Sequence, residues 1–183
     1  IPKIIFLEIS ILGANFIQTK MTKTVFMNCK IENSNFSESI MEKTTFVNTG
    51  LEACDFIKTD LSNACFVATE SEPPITKNLN FKNSCLKQTN FQNMNMQNTD
   101  FSFTNMENAF WGSTDLSGAN LNNAQAKKAQ FRKTNLIRAT LDYINLEQGS
   151  LAKANLAGAS FKSANLYAVD FLRSNISDTD FSW

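Results

Sequence analysis

Read in steps of five, residues 114–166 place Leu or Phe at every fifth position from Leu116 to Leu166, with Ala126 the one exception. Two residues before each, Ile144 apart, stands a small side chain, mostly Ala or Thr, and the residue between is usually Asn or Asp. This strict period constrains the fold more than any other feature. Amphipathic helices repeat near 3.6 and strands near 2, so neither accommodates it. Five residues make a short extended piece and a corner, and four such pieces close one square coil of about twenty residues in a solenoid. Stacked coils would pair edge to edge at about 4.8 Å, the ordinary strand spacing. The large central residue and the small residue two before it point inward, and the other three positions face water or shape the corner.

Ala119-Asn120-Leu121, Ala154-Asn155-Leu156 and Ala164-Asn165-Leu166 match the motif A-(D/N)-L-x-x, and on these residues the chain resembles the pentapeptide-repeat family over nearly its whole length. The resemblance implies an all-β fold, a right-handed quadrilateral parallel β-helix, here of about nine coils. It implies function only weakly, because members of the family do many things and few are enzymes. We expect a single domain over 1–183 with one loop near 67–80. Because the chain opens at Ile1-Pro2 and stops within the repeat at Trp183, it reads as a domain excised from a longer protein.

The central residues of 14–66 alternate: Phe16, Met21, Phe26, Ile31, Phe36, Met41, Phe46, Leu51, Phe56, Leu61, Phe66. An alternation of ten puts Phe columns on two opposite faces of the square. Fourteen of the sixteen Phe residues fall at central positions, which marks them as core. The first coil keeps phase through Ile1, Phe6 and Ile11, but Ile4 and Ile9 are bulky for small slots, so a distorted coil or the cut end of a cap is expected there. Residues 67–80 break the pattern: Ser71 and Thr76 would be central, and Pro73-Pro74 cannot donate to a coil ladder. Phe resumes at Phe81 on the other parity. If about five residues bulge out, the Phe columns continue unbroken, since like residues then stack on like.

Nothing in the sequence carries recognisable catalysis. His is absent, which removes the commonest general base and metal ligand. No Gly-rich phosphate loop, CxxC pair or nucleophile–base pair stands out. We therefore expect no enzyme activity, no cofactor and no metal. Cys29 and Cys54 occupy inward small slots, whereas Cys65 and Cys85 precede core residues and face outward. They form no disulfide framework, and a reducing compartment such as the cytoplasm follows, with secretion into a host cell a further option. No apolar run is long enough to span a bilayer as a helix.

The surface then carries the function. Lys133, Lys153 and Arg173 share a column, with Arg132 beside it. A second column reads Phe103, Asn123, Tyr143, Ser163, Trp183, and Phe110 also faces outward; exposed aromatics are enriched in interfaces. Glu32, Glu52 and Glu72 are expected to form an acidic column. Between Glu32 and Glu72 stand eight acidic residues and two lysines, so the N-terminal half is acidic and the region 127–138 basic, although net charge is +0.

Three readings compete. The first is a rigid scaffold that binds a protein, as a targeting or interaction domain of a larger bacterial protein such as a secreted effector. Nucleic acid is a weaker partner, since a few cations give modest, salt-sensitive affinity. Self-association, end to end or side by side, is compatible with an open-ended rod. The second rests on the resemblance: quinolone-resistance members mimic B-DNA and protect DNA gyrase, but they carry a broad acidic face. The third is an accessory domain of an enzyme whose catalytic part lies elsewhere.

Overall fold

The computed structural model describes residues 4–69 and 75–183, and among them every regular element is a short strand. β1 (Ile5–Leu7), β3 (Val25–Met27), β5 (Thr45–Val47) and β7 (Cys65–Val67) form one parallel sheet. β2 (Ser10–Leu12), β4 (Lys30–Glu32), β6 (Gly50–Glu52) and β8 (Thr76–Lys77) form another. Partners lie one coil apart, as in Phe6↔Phe26 and Phe26↔Phe46. The other sides of each coil, and all sides from Asn80 onward, are held by parallel bridges such as Asn15↔Asn35, Asn120↔Thr140 and Asn155↔Asn175. The molecule is a β-solenoid, a parallel β-helix with a corner every five residues.

One repeat shows why this sequence accepts the geometry. A buried strand must place every backbone N–H on an acceptor. Asn35 N–H donates to the previous coil at Ala14 O (2.9 Å), whereas Phe36 and Glu38 donate to the next at Asp55 O (2.7 Å) and Ile57 O (2.8 Å). Ser39 N–H closes the corner on Phe36 O (3.2 Å). The fifth, Ser37 N–H, has no coil above or below to meet and donates to the side-chain Oδ1 of Asn35 (2.9 Å). That Asx bond is why Asn or Asp precedes the central residue. It recurs at Asp60, Asn80, Asn90, Asp100 and Asp115.

Corner geometry differs along the rod. Among the described residues, the residue two after the central position has positive φ at every corner except Ala68, from Glu8 (54°) through Lys133 (60°) to Asp178 (54°). A positive φ at the third residue, with an i→i+3 bond, is a type II turn. On the strand faces of the N-terminal half that bond is missing, and small-slot side chains take the i−2 carbonyl instead: Ser34 Oγ–H donates to Glu32 O (2.9 Å) and Thr49 Oγ1–H to Val47 O (3.1 Å). From Phe81 onward every corner is closed, as in Ser84 N–H to Phe81 O (3.0 Å) and Ala119 N–H to Leu116 O (3.0 Å).

Two columns of stacked rings run through the core, alternating with aliphatic central residues such as Ile31, Met41 and Leu51. Phe6, Phe26, Phe46, Phe66, Phe91, Trp111 and Phe131 stack at centroid separations from 4.4 to 5.8 Å. Phe16, Phe36, Phe56, Phe81 and Phe101 make the second column at 4.8–5.1 Å. The columns meet edge to face across the coil, for example Phe46 with Phe56 at 6.2 Å and 87°, a favoured arrangement of ring quadrupoles.

The register steps by twenty-five rather than twenty across the interruption: Leu51↔Thr76, Asp55↔Asn80 and Cys65↔Asn90. The offset exceeds one coil by five residues, and both Phe columns run through. The interruption is narrower than 67–80. Thr76 already occupies a central position at 4% exposure, and Leu79 fills the next small slot. Ile1 and the segment Ser71-Glu72-Pro73-Pro74 lie outside the described residues. The first coil is not distorted: β1 and β2 pair in register with β3 and β4, and Ile4 and Ile9 are accommodated because they are partly exposed at its edge.

Candidate binding surface

The corner position governs the surface. A residue with φ near +60° at the turn directs its side chain off the corner into solvent. Lys133, Lys153 and Arg173 hold this position in successive coils, with φ of 60°, 61° and 59°. Lys133 N–H donates to Ala152 O (2.9 Å) and Lys153 N–H to Leu172 O (2.8 Å), so the three lie one coil apart. They form the predicted column, and Arg132 sits beside Lys133 on the same face. All four side chains are exposed. Elsewhere among the described residues six cations pair with acids, as in Lys127–Glu147 (2.8 Å) and Lys87–Glu107 (3.7 Å), while others such as Lys20, Lys43 and Arg138 do not. Among the described residues, no ion pair involves Arg132, Lys133, Lys153 or Arg173.

Phe110, 42% exposed, lies on this same face, one residue before Trp111. Phe103 (52%) and Tyr143 (61%) do not join it. They occupy a corner two corners back along the chain, on the opposite side of the square. Lys82 Nζ lies 5.8 Å from the Phe103 ring centroid, within cation–π range. The aromatic and cationic strips are thus two separate surfaces.

The acidic column is corrected by the register. Glu32 pairs in the ladder with Glu52, but the next residue is Lys77, not Glu72, because the register steps by twenty-five there. Lys77 Nζ lies 2.8 Å from Glu52 Oε1 and Lys30 Nζ lies 2.9 Å from Glu32 Oε1, so the column is locally neutralised.

Among the described residues, no chemistry-bearing constellation competes with these strips. Among the described residues no group of three His, Cys, Asp or Glu side chains could hold a metal. All four cysteines are free thiols. Burial pushes the Cys54 and Cys65 thiols up, opposite to what an activated nucleophile needs. Burial also acts to raise Asp115, but hydrogen bonds from Ser117 N–H (2.9 Å), Gln97 Nε2 (2.6 Å) and Asn135 Nδ2 (3.0 Å) outweigh it and hold the carboxyl below its usual value. That is a ladder role. Among the described residues, no helix is long and apolar enough to cross a membrane.

Sequence reading passed over Gly112. It stands beside the cation column on the Phe110 face, and Gln92, Asn93, Ser113, Arg132 and Lys133 surround the notch it leaves. The only signal was a glycine at an outward slot whose column neighbours, Gln92 and Arg132, are long.

The comparisons agree with the architecture. A family model for pentapeptide repeats matches residues 12–48, 77–110, 114–151 and 150–182. No curated protein sequence matches the chain. Among solved structures, a trypsin-treated variant of QnrB1, a plasmid-mediated fluoroquinolone resistance protein, is similar at TM-score 0.72 and 16% identity, covering 91% of this chain and 90% of that one. HetL, a pentapeptide repeat protein involved in heterocyst differentiation regulation in the cyanobacterium Nostoc sp. strain PCC 7120, is similar at TM-score 0.52 and 20% identity, covering 97% and 86%. At such identities the likeness concerns the fold alone.

Proposed function

The chain belongs to the pentapeptide-repeat family, and from that premise we propose that it is a non-enzymatic, rigid scaffold that binds a protein partner through its side faces. Backbone groups along the rod are consumed between coils, so a partner meets side chains and not a strand edge. The observation that carries the reading is the column Lys133, Lys153, Arg173, three exposed cations one coil apart with no ion pair among the described residues. In water two such charges repel by only about 1 kcal/mol at 4 Å, which a folded rod tolerates and an acidic surface would relieve. Electrostatic complementarity of this kind sets partner choice and association rate.

The test is a triple reversal, Lys133→Glu, Lys153→Glu and Arg173→Glu. Stability should change little, because exposed charges contribute little. Capture of the partner should fall, and its salt dependence should weaken. A partner captured equally by both proteins would rule out this strip and move attention to Phe103 and Tyr143. The DNA-mimic alternative is disfavoured by the same column and by net charge +0; protection of DNA gyrase by the purified chain would restore it. Four free thiols suit work in a reducing compartment, whether the cytoplasm of the producing cell or of a host that receives the protein as an effector.

A further inference from the structure

The geometry points to the notch at Gly112 as an oxyanion site that seats an acidic side-chain carboxylate of an extended peptide partner. This rests on the scaffold reading above and says where its specificity lies. Three coils build the notch. Asn93 N–H donates to Gly112 O (3.0 Å) and Ser113 N–H to Arg132 O (3.0 Å), so the pairs Gln92-Asn93, Gly112-Ser113 and Arg132-Lys133 lie directly over one another. The missing side chain opens the middle layer between two long neighbours. The depression is lined by these six residues and by no carboxylate. Its walls offer a guanidinium, an ammonium, two amides and a hydroxyl, and neither cation has an ion pair among the described residues.

A concave site of one charge sign concentrates counter-charge. A guanidinium accepts a carboxylate in a two-point fork, and charge-assisted bonds are the strong ones. Lys153 and Arg173 continue the cationic strip away from the notch, so a second acidic residue of the same peptide has a place to go. Gly112 has no positive φ, and a Cβ there would meet first the flexible Gln92 side chain at 3.3 Å. The glycine is therefore not required by the backbone, and the notch can be filled without breaking the coil.

The probe is a capped tetraglutamate peptide titrated into the isotope-labelled chain, with inorganic phosphate as a parallel arm. Saturable amide shifts should centre on residues 92–93, 112–113 and 132–133. Gly112→Leu, which fills the notch and leaves every charge in place, should weaken the peptide about tenfold or more, as should Arg132→Glu. Unchanged far-UV spectra and melting temperature establish that both variants fold. Equal peptide binding by Gly112→Leu and wild type overturns the proposal. Shifts spread evenly over remote lysines such as Lys20 and Lys43 overturn it as well. Phosphate saturating these amides while the peptide moves none would make this a free-phosphate site and overturn the peptide assignment. The scaffold reading fails separately, because its test includes Lys153 and Arg173, which lie outside the notch.

Discussion

Tyr143 holds φ at 60° and Phe103 at 58°, a region where L-residues with a Cβ lose about 1–2 kcal/mol and which Asn tolerates better. Most corners of this rod are therefore strained, and many carry Asn. Tyr143→Asn should raise stability by about 0.5–1 kcal/mol, since Asn relieves the corner without the chain entropy of glycine. A loss in chemical denaturation would mean that the ring packs on its neighbours. The inward and outward assignments separate as clearly. Phe46→Ala should cost about 3–5 kcal/mol, the range for a buried ring. Phe103→Ala should cost under about 1 kcal/mol, because its slot is open to solvent. Equal losses would contradict the stacking described above. Trp111 is a different case. Its indole stacks 4.4 Å from Phe91, yet its Nε1–H is buried with no acceptor. An orphan buried donor costs about 1–3 kcal/mol, so Trp111→Phe should come out within about 1 kcal/mol of neutral despite the lost volume.

Short strands here are an outcome of stacking rather than of local propensity. Three-residue elements such as β3 and β4 would not persist alone; each is stabilised by the coil on either side. The strand faces end where the chain re-enters the coil at Thr76, and from Phe81 every corner closes as a type II turn. The twenty-five-residue step between Leu51 and Thr76 means that five residues are surplus to the rod. Removing residues 70–74 should leave a folded protein with both ring columns in register, and melting should shift by only a few degrees. Unfolding on that deletion would show that the segment supports the coils beneath it.

At the scale of the molecule, stability is a sum of nearest-neighbour coil contacts. Far-UV spectra should show β and turn signals with essentially no helix, and a substantial helical band would contradict the solenoid. Acid should loosen the rod through its ladder carboxylates. Asp115 is held below its usual value in the folded state. Its contribution is present above the unfolded carboxylate pKa and is lost as pH falls through the lowered folded value. Thermal melts should therefore drop on acidification below the usual carboxylate range, and Asp115→Asn should flatten part of that dependence. Charge is arranged by column rather than in bulk, because side chains one coil apart meet whatever their distance in sequence.

The period alone determined which residues point inward, that the coils are square, that the Phe columns face each other and that Lys133, Lys153 and Arg173 align. These follow because every repeat meets its neighbours in the same way, three of its N–H groups bonding to adjacent coils and Asn or Asp supplying the one acceptor that those coils cannot. Only the tertiary structure decided what depends on register between coils. Lys77 rather than Glu72 lies beside Glu52, because ring stacking selects a twenty-five-residue register there. The Gly112 notch exists only where three coils overlap. A column joins residues twenty or twenty-five apart, and the best match of whole coils sets that offset; no single repeat encodes it.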